Sequence, residues 1–318
     1  MVEWRGRLYQ LAADVLARIG QLSISHSSIW RCAQEAGAQF QRLEQGECEQ
    51  ALLLPERWEP PSRADVRDQR MGVSLDGALI HLREEAWKEV KIGAVFALAV
   101  TSAPDPLTQE VVASAHAVQT SYVAHLGGAD KVGEMTWAEA RQRGWEQAQE
   151  TQVIGDGAVW IWNQAALHFP ASRQLVDWYH AKAHLNQAAR ALKAEGTPAF
   201  VRWLNSRTTQ LYQGHAARIA HELDQAASGS PNAETLTREA AYFRHNHRRM
   251  NYLEMREDLW PIGSGMVESG AKQFKSRFCG PGMRWSRQGA ENLLPIRAAI
   301  LSRRFNQRWQ AAQNLPPA

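Results

Sequence analysis

Cysteine is scarce in this chain: three in 318 residues, Cys32, Cys48 and Cys279, far apart and with no C-x-x-C pair. That spacing excludes a disulfide scaffold and a zinc finger, and points to reduced thiols in a cytosolic protein. Also missing is any apolar run long enough to cross a bilayer, and the opening MVEWRGRLYQ is not a signal peptide. No G-x-x-x-x-G-K-[ST] stretch occurs, which excludes P-loop nucleotide chemistry. What is left, 44% hydrophobic and 22% charged residues, is the composition of a folded globular protein rather than a disordered or fibrous one. The length suffices for one large domain or for two to three smaller modules.

Acid is scarce at one end. From residue 241 onward eleven Arg and two Lys stand against Glu254, Glu257, Asp258, Glu268 and Glu291, a net +8. The whole chain carries +3, so the first 240 residues carry −5. A basic C-terminal quarter suits contact with a phosphate backbone. Tryptophan, by contrast, is abundant at thirteen, and several lie beside the candidate chemistry.

The element pattern starts with helices over residues 6–44. LYQLAADVLARIG has apolar residues at helical spacing, and QLSISHSSIWRCAQEAGAQFQRL opens on a serine cluster and continues as a second helix. Helix, short turn and helix suit either a helix-turn-helix presenting His26, Ser27, Ser28 and Arg31 to DNA or an ordinary helical hairpin. Residues 54–65, LPERWEPPSRAD, read as a Pro-rich linker. MGVSLDGALIHLR, KEVKIGAVFALAV and SAHAVQTSYVAHL then predict three strands in an antiparallel meander. A helix over 130–149, a short strand at QVIGDG, a helix at AVWIWNQAALHF and a fifth strand at RQLVDWYH follow. Residues 181–250 read as helical with breaks at GTP (196–198) and SGSPN (228–232); helices near 264–277 and 286–304 end the chain. The order predicts an α/β fold: an RNase H-like mixed five-stranded sheet with helices on both faces, interrupted by an all-helical insertion, plus an N-terminal helical segment. The expected division is 1–53 N-terminal, 54–65 linker, 66–180 and 255–318 core, and 181–254 insertion.

Three isolated acids fall where such a sheet would gather them. Asp76 lies in the first strand (VSLDG), Asp156 at the end of the fourth (VIGDG), and Glu268 one turn into a late helix (PIGSGMVESGAKQFKSR). Converging carboxylates repel unless a cation compensates them, and oxygen donors without thiols favour Mg²⁺, or Mn²⁺. Two such ions about 4 Å apart serve in-line phosphoryl displacement. Each acid also has a plain structural reading: Asp76-Gly77 as a hairpin turn, Asp156-Gly157 as a capped strand-to-helix junction, Glu268 as the partner of Lys272 at i+4. Ser264 is expected to N-cap the late helix, and Gly270 to lower its stability.

Taken together, VSLDG, EVKIGAVF, VIGDGAVWIWN, FPASRQLVDWYHAKAHL, YFRHNHRRMNY, PIGSGMVES and GPGMRW resemble the ISKra-type insertion-sequence transposases of bacteria, over about residues 20–304. The resemblance implies a DDE transposase in which Asp76, Asp156 and Glu268 bind metal and catalyse cleavage of element ends and strand transfer. It further implies double-stranded DNA as partner, homo-oligomers on DNA, no membrane, and a bacterial cytoplasmic, nucleoid-associated location. Members usually carry more chain upstream, which implies a truncated N-terminus. A resolvase-type nuclease, or a non-catalytic DNA-binding derivative, is the alternative.

Asp177 and His180 match the D-x-x-H motif of Mutator-like and related transposases, which implies a place near the active site and the DNA end. Read from the residues alone, Asp177, His180 and His184 could instead be zinc ligands, or a hydrogen-bonded pair fixing the insertion to the core. Trp160 and Trp162 cannot share one helix face, so one packs in the core while the other could stack on a base. Arg244, Arg248 and Arg249, the face holding Lys272 and Lys275, and Arg284 are candidate DNA contacts; solvated charge is the plainer reading.

Overall fold

The computed structural model describes residues 3–53, 69–280 and 283–316; the linker expected at 54–65 lies outside them. Two helices open the chain, α1 (Glu3–Gly20) and α2 (His26–Ala51). A meander of β1 (Met71–Leu82), β2 (Ala86–Pro104) and β3 (Val111–Leu126) follows, then α3 (Ala129–Gln142), β4 (Thr151–Gly155), α4 (Val159–His168) and β5 (Arg173–Val176). The helical block holds α5 (Trp178–Leu192), α6 (Pro198–Tyr212), α7 (Ala216–Ala227), α8 (Ala233–Asn246) and α9 (Tyr252–Glu257). Then come α10 (Gly265–Phe278), α11 (Arg287–Leu301) and α12 (Phe305–Gln313). Among the described residues no helix is long and apolar enough to cross a membrane.

The sheet order is β3-β2-β1-β4-β5, antiparallel among the first three strands and parallel from β1 through β4 to β5. This is the RNase H-like layout expected from the element order. β1 is central and pairs on both edges, so it is apolar on both faces. Val73 and Leu75 join α4 and the insertion helices in one core; Ala78, Ile80 and Leu82 join Val267, Ala271, Phe274 and Phe278 of α10, with Leu293 and Leu294 of α11, in another. Asp76 shares the second face by alternation.

Two differences from the sequence expectation have local causes. β5 ends at Val176 rather than running to His180, because the Asp177 carboxylate accepts the His180 amide (2.8 Å) and starts α5 at once. α2 runs on to Ala51, and its second half is built into the core: Phe40 packs on Phe305 and Trp309, while Cys48 and Ala51 pack with Val132, Met135 and Ala138 of α3. From the serine cluster, Ser25 caps α2 by accepting the Ser28 amide at 3.1 Å.

Among the ties that hold the insertion to the core, three stand out. At the tip of the β2–β3 hairpin, Asp105 accepts the Tyr212 hydroxyl at 2.6 Å and stands 3.4 Å from Arg256. The other two ties, through Tyr242 with Asn246 and through Asp177, flank the acids described next.

Candidate active site

Register alone sets the first two acids side by side. β1 and β4 pair in parallel with Ser74 opposite Ile154, so two residues on, Asp76, midway along β1, stands next to Asp156, just past the C-terminal end of β4. β4 and β5 pair Gly155 with Val176, and the Asp177 amide donates to Gly155 O at 2.7 Å; Asp177 is therefore third in the row. In open α/β sheets the crevice beyond the carboxyl ends of parallel strands is where ligands bind. α10 crosses the same end, burying Val267, Ala271 and Phe274 and presenting half-exposed Glu268 from its first turn.

Each carboxylate is anchored by a group close by in the chain. One Asp76 oxygen accepts the Gly77 amide at 2.7 Å, and one Asp156 oxygen accepts the Ala158 amide at 2.8 Å. Glu268 Oε1 accepts the Ser264 hydroxyl at 3.1 Å. Ser264 thus does not cap α10 with its side chain, as expected from sequence; the hydroxyl reaches one turn along to orient Glu268. The Asp76 carboxyl is raised above its ordinary range, first by desolvation and then by the charges of Asp156 and Glu268, against the Gly77 amide and His180. A cation would remove that penalty, and an all-carboxylate set suits a hard divalent ion, so the donors fit the implied metal. The triad is more open than expected. Among the described residues, the set of three potential ligands lying within 4.8 Å of one another is Asp177, His180 and Glu268 and does not include Asp76 or Asp156; Asp76 feels the charges of Asp156, His180 and Glu268.

Asp177 is 0% exposed, and both its oxygens are committed: one to the His180 amide, the other to the Ser264 amide. A side chain so placed does not reach DNA. The D-x-x-H aspartate is a latch between the starts of α5 and α10, and of the readings open for it the hydrogen-bonded one fits. His180 is half-exposed with Nε2 3.6 Å from Glu268 Oε1. His184 turns away: Nδ1 meets Glu239 at 2.6 Å and the ring stacks on Tyr242, which removes the zinc reading for the pair.

Tyr242, which the sequence did not single out, braces the second acid. Its hydroxyl donates to Asp156 O at 2.9 Å, and its ring lies over Gly157, whose φ of +103° and lack of a Cβ the close approach requires. Asn246 donates to Gly157 O at 3.3 Å and accepts the Trp162 indole at 2.9 Å. Trp162 is therefore a buried brace and not a stacking platform. The Trp160 ring already carries Lys91, 4.3 Å from its centroid. Tyr242 and Asn246 lie in YFRHNHRRM, and aromatic and amide side chains four apart on one helix were the readable signal.

The expected DNA contacts divide. Lys272 and Lys275 are exposed on α10, and Arg284 and Arg248 are exposed as well. Arg244 is exposed and paired with Asp224, whereas half-buried Arg249 donates to Gln174 at 2.7 Å and lies over Trp162. Arg249 is a packing cation. Ser27, Ser28 and Arg31 sit at the exposed start of α2, where Arg31 donates to Ser28 at 3.3 Å. No family model matches the chain, and the curated proteins yield no significant match.

Proposed function

We propose that the chain is a metal-dependent DNA transposase of the DDE type, acting on double-stranded DNA. The observation that supports this reading is the register-matched pair Asp76 and Asp156, with Glu268 on α10 near enough for its charge to raise the Asp76 carboxyl. Asp76, Asp156 and Glu268 would hold a divalent ion, Mg²⁺ or Mn²⁺, which when bound activates an attacking oxygen and compensates the leaving oxygen of a phosphodiester. Ser264 fixes the Glu268 carboxylate, Tyr242 fixes the Asp156 loop, and Asp177 holds the two helix starts in register. The exposed Lys272 and Lys275 follow Glu268 along one helix face and would contact strand phosphates beside the acids. First water and then a freed 3′-hydroxyl would be the nucleophiles, giving cleavage and joining; action on two ends calls for a dimer or larger assembly.

The test is incubation of the protein with labelled duplexes carrying the DNA that flanks its coding sequence, with Mg²⁺ or Mn²⁺, and resolution of cleaved and joined strands. Both products are expected, and both are expected to vanish in Asp156→Asn. Cleavage without joining would replace the reading by a resolvase-type nuclease. Duplex binding without either product would replace it by a binding protein.

A further inference from the structure

We propose that His180 Nε2 and Glu268 form a mixed nitrogen–oxygen metal subsite, distinct from the Asp76/Asp156 pair, which favours Mn²⁺ over Mg²⁺. The inference rests on the metal-dependent reading of this site and specifies which donors one ion would have.

The separation of 3.6 Å between His180 Nε2 and Glu268 Oε1 lies within the span of two donors on one ion with bonds of about 2.0–2.2 Å. The side chains are 41% and 31% exposed, so an ion can enter. Asp177 belongs to the same tight cluster; fully buried, with one amide on each oxygen, it is the frame on which the exposed pair is held. That frame is what makes the pair a site. One buried carboxylate accepts the amide of His180 and the amide of Ser264, and the Ser264 hydroxyl accompanies Glu268 at 3.1 Å. The His180 and Glu268 donors therefore come from two helices whose starts are pinned to a single residue, and outer contacts of this kind orient ligands around a metal.

The chemistry then sets the preference. Mg²⁺ takes oxygen donors in near-ideal octahedra, whereas imidazole suits the transition metals, and Mn²⁺ accepts both donor types. Asp76 and Asp156 offer oxygen alone, so the two halves of the site differ in kind.

Full-length protein titrated with Mn²⁺ and followed by electron paramagnetic resonance tests this. The bound ion is expected to show ¹⁴N modulation from a coordinated imidazole. His180→Gln and His180→Ala are expected to lose that modulation and to weaken Mn²⁺ binding by about tenfold or more. Competing Mg²⁺ should bind wild type and both variants alike. Melting curves for the two variants report whether they fold. Bound Mn²⁺ without ¹⁴N modulation in the wild type would overturn the subsite and leave the carboxylate reading intact. Modulation that survives in both variants would also overturn it. Modulation that depends on His180, with Mn²⁺ affinity indifferent to Asp76→Asn and Asp156→Asn, would uphold the subsite and sink the triad. No Mn²⁺ binding would overturn both.

Discussion

Two groups of acids in this molecule are built in opposite ways. Glu139, buried on α3, has Arg304 at 2.5 Å and the Ser121 hydroxyl at 2.6 Å, and Arg143 bonds the same Ser121 at 2.8 Å. Burial works to raise its pKa, but Arg304, Ser121 and Arg143 overcome that and hold it below the ordinary carboxylate range. Asp76, midway along β1, moves the other way: desolvation and two neighbouring acids raise it, against the Gly77 amide and a half-exposed histidine. The first group is balanced inside the fold. The second is not balanced in this way, and on the proposed reading a bound cation would supply the missing charge.

Breaking one member of each group should therefore give opposite phenotypes. Asp156→Asn is expected to lose cleavage by about 10³-fold or more, near 4 kcal/mol of transition-state stabilisation, with little change in the urea midpoint. Glu139→Gln is expected to do the reverse: a loss of about 3–5 kcal/mol in unfolding free energy, because the half-buried Arg304 loses the carboxylate that compensates it. Urea unfolding of both variants beside the cleavage assay decides the matter. A strongly destabilised Asp156→Asn would place Asp76 and Asp156 among structural charges after all.

A third prediction concerns how the two regions are held together. Gly270 reads from sequence as a weak point in α10, but an added Cβ would collide with the Tyr122 ring, whose hydroxyl donates to Met266 O at 3.0 Å. The glycine is a seat for β3 against the helix that carries Glu268. Gly270→Ala is thus expected to destabilise by about 1–3 kcal/mol, although alanine is the better helix former. Tyr122→Leu should relieve most of that cost in the double variant. A Gly270→Ala protein more stable than wild type would return Gly270 to the role of a loosening residue.

The parts of the fold carried by periodicity and turn chemistry were legible. VSLDG, VIGDG and PIGSGMVES fixed which elements bear the three acids, and element order gave the sheet. What stayed illegible depends on partners far along the chain. Nothing near Asp177 announces that its second oxygen is taken by the Ser264 amide, 87 residues away. Ser264 looked like a cap because serine before a helix usually is one, and tertiary context sent its hydroxyl to Glu268 instead. Trp162 and Arg249 had the composition of DNA contacts, but facing each other at 4.7 Å they spend that chemistry inside the protein. Side-chain type was readable in each case; the direction in which the side chain points was not.

The smallest expected effect tests whether the balanced group is fully balanced. Glu44 on α2 lies beside Glu139, and its carboxyl is pushed up to about 8, mostly by desolvation, with Glu47 and Glu139 adding to the rise and Arg308 and Lys131 opposing it. Arg308 is already bound by Glu47 through two 2.9 Å contacts, which leaves Glu44 as the surplus acid. Folding raises this pKa, so the folded chain holds the proton more tightly than the unfolded one. The stabilisation is complete below the ordinary value of 4.5 and is lost as pH rises through about 8. Glu44→Gln, which keeps the neutral shape at every pH, should melt like wild type near the ordinary value and above it near pH 8. The expected gap is about 2–4 °C, the shift that roughly 1 kcal/mol gives a large domain. Melting curves that stay parallel across that range would mean that Arg308 and Lys131 satisfy all the acids packed around them.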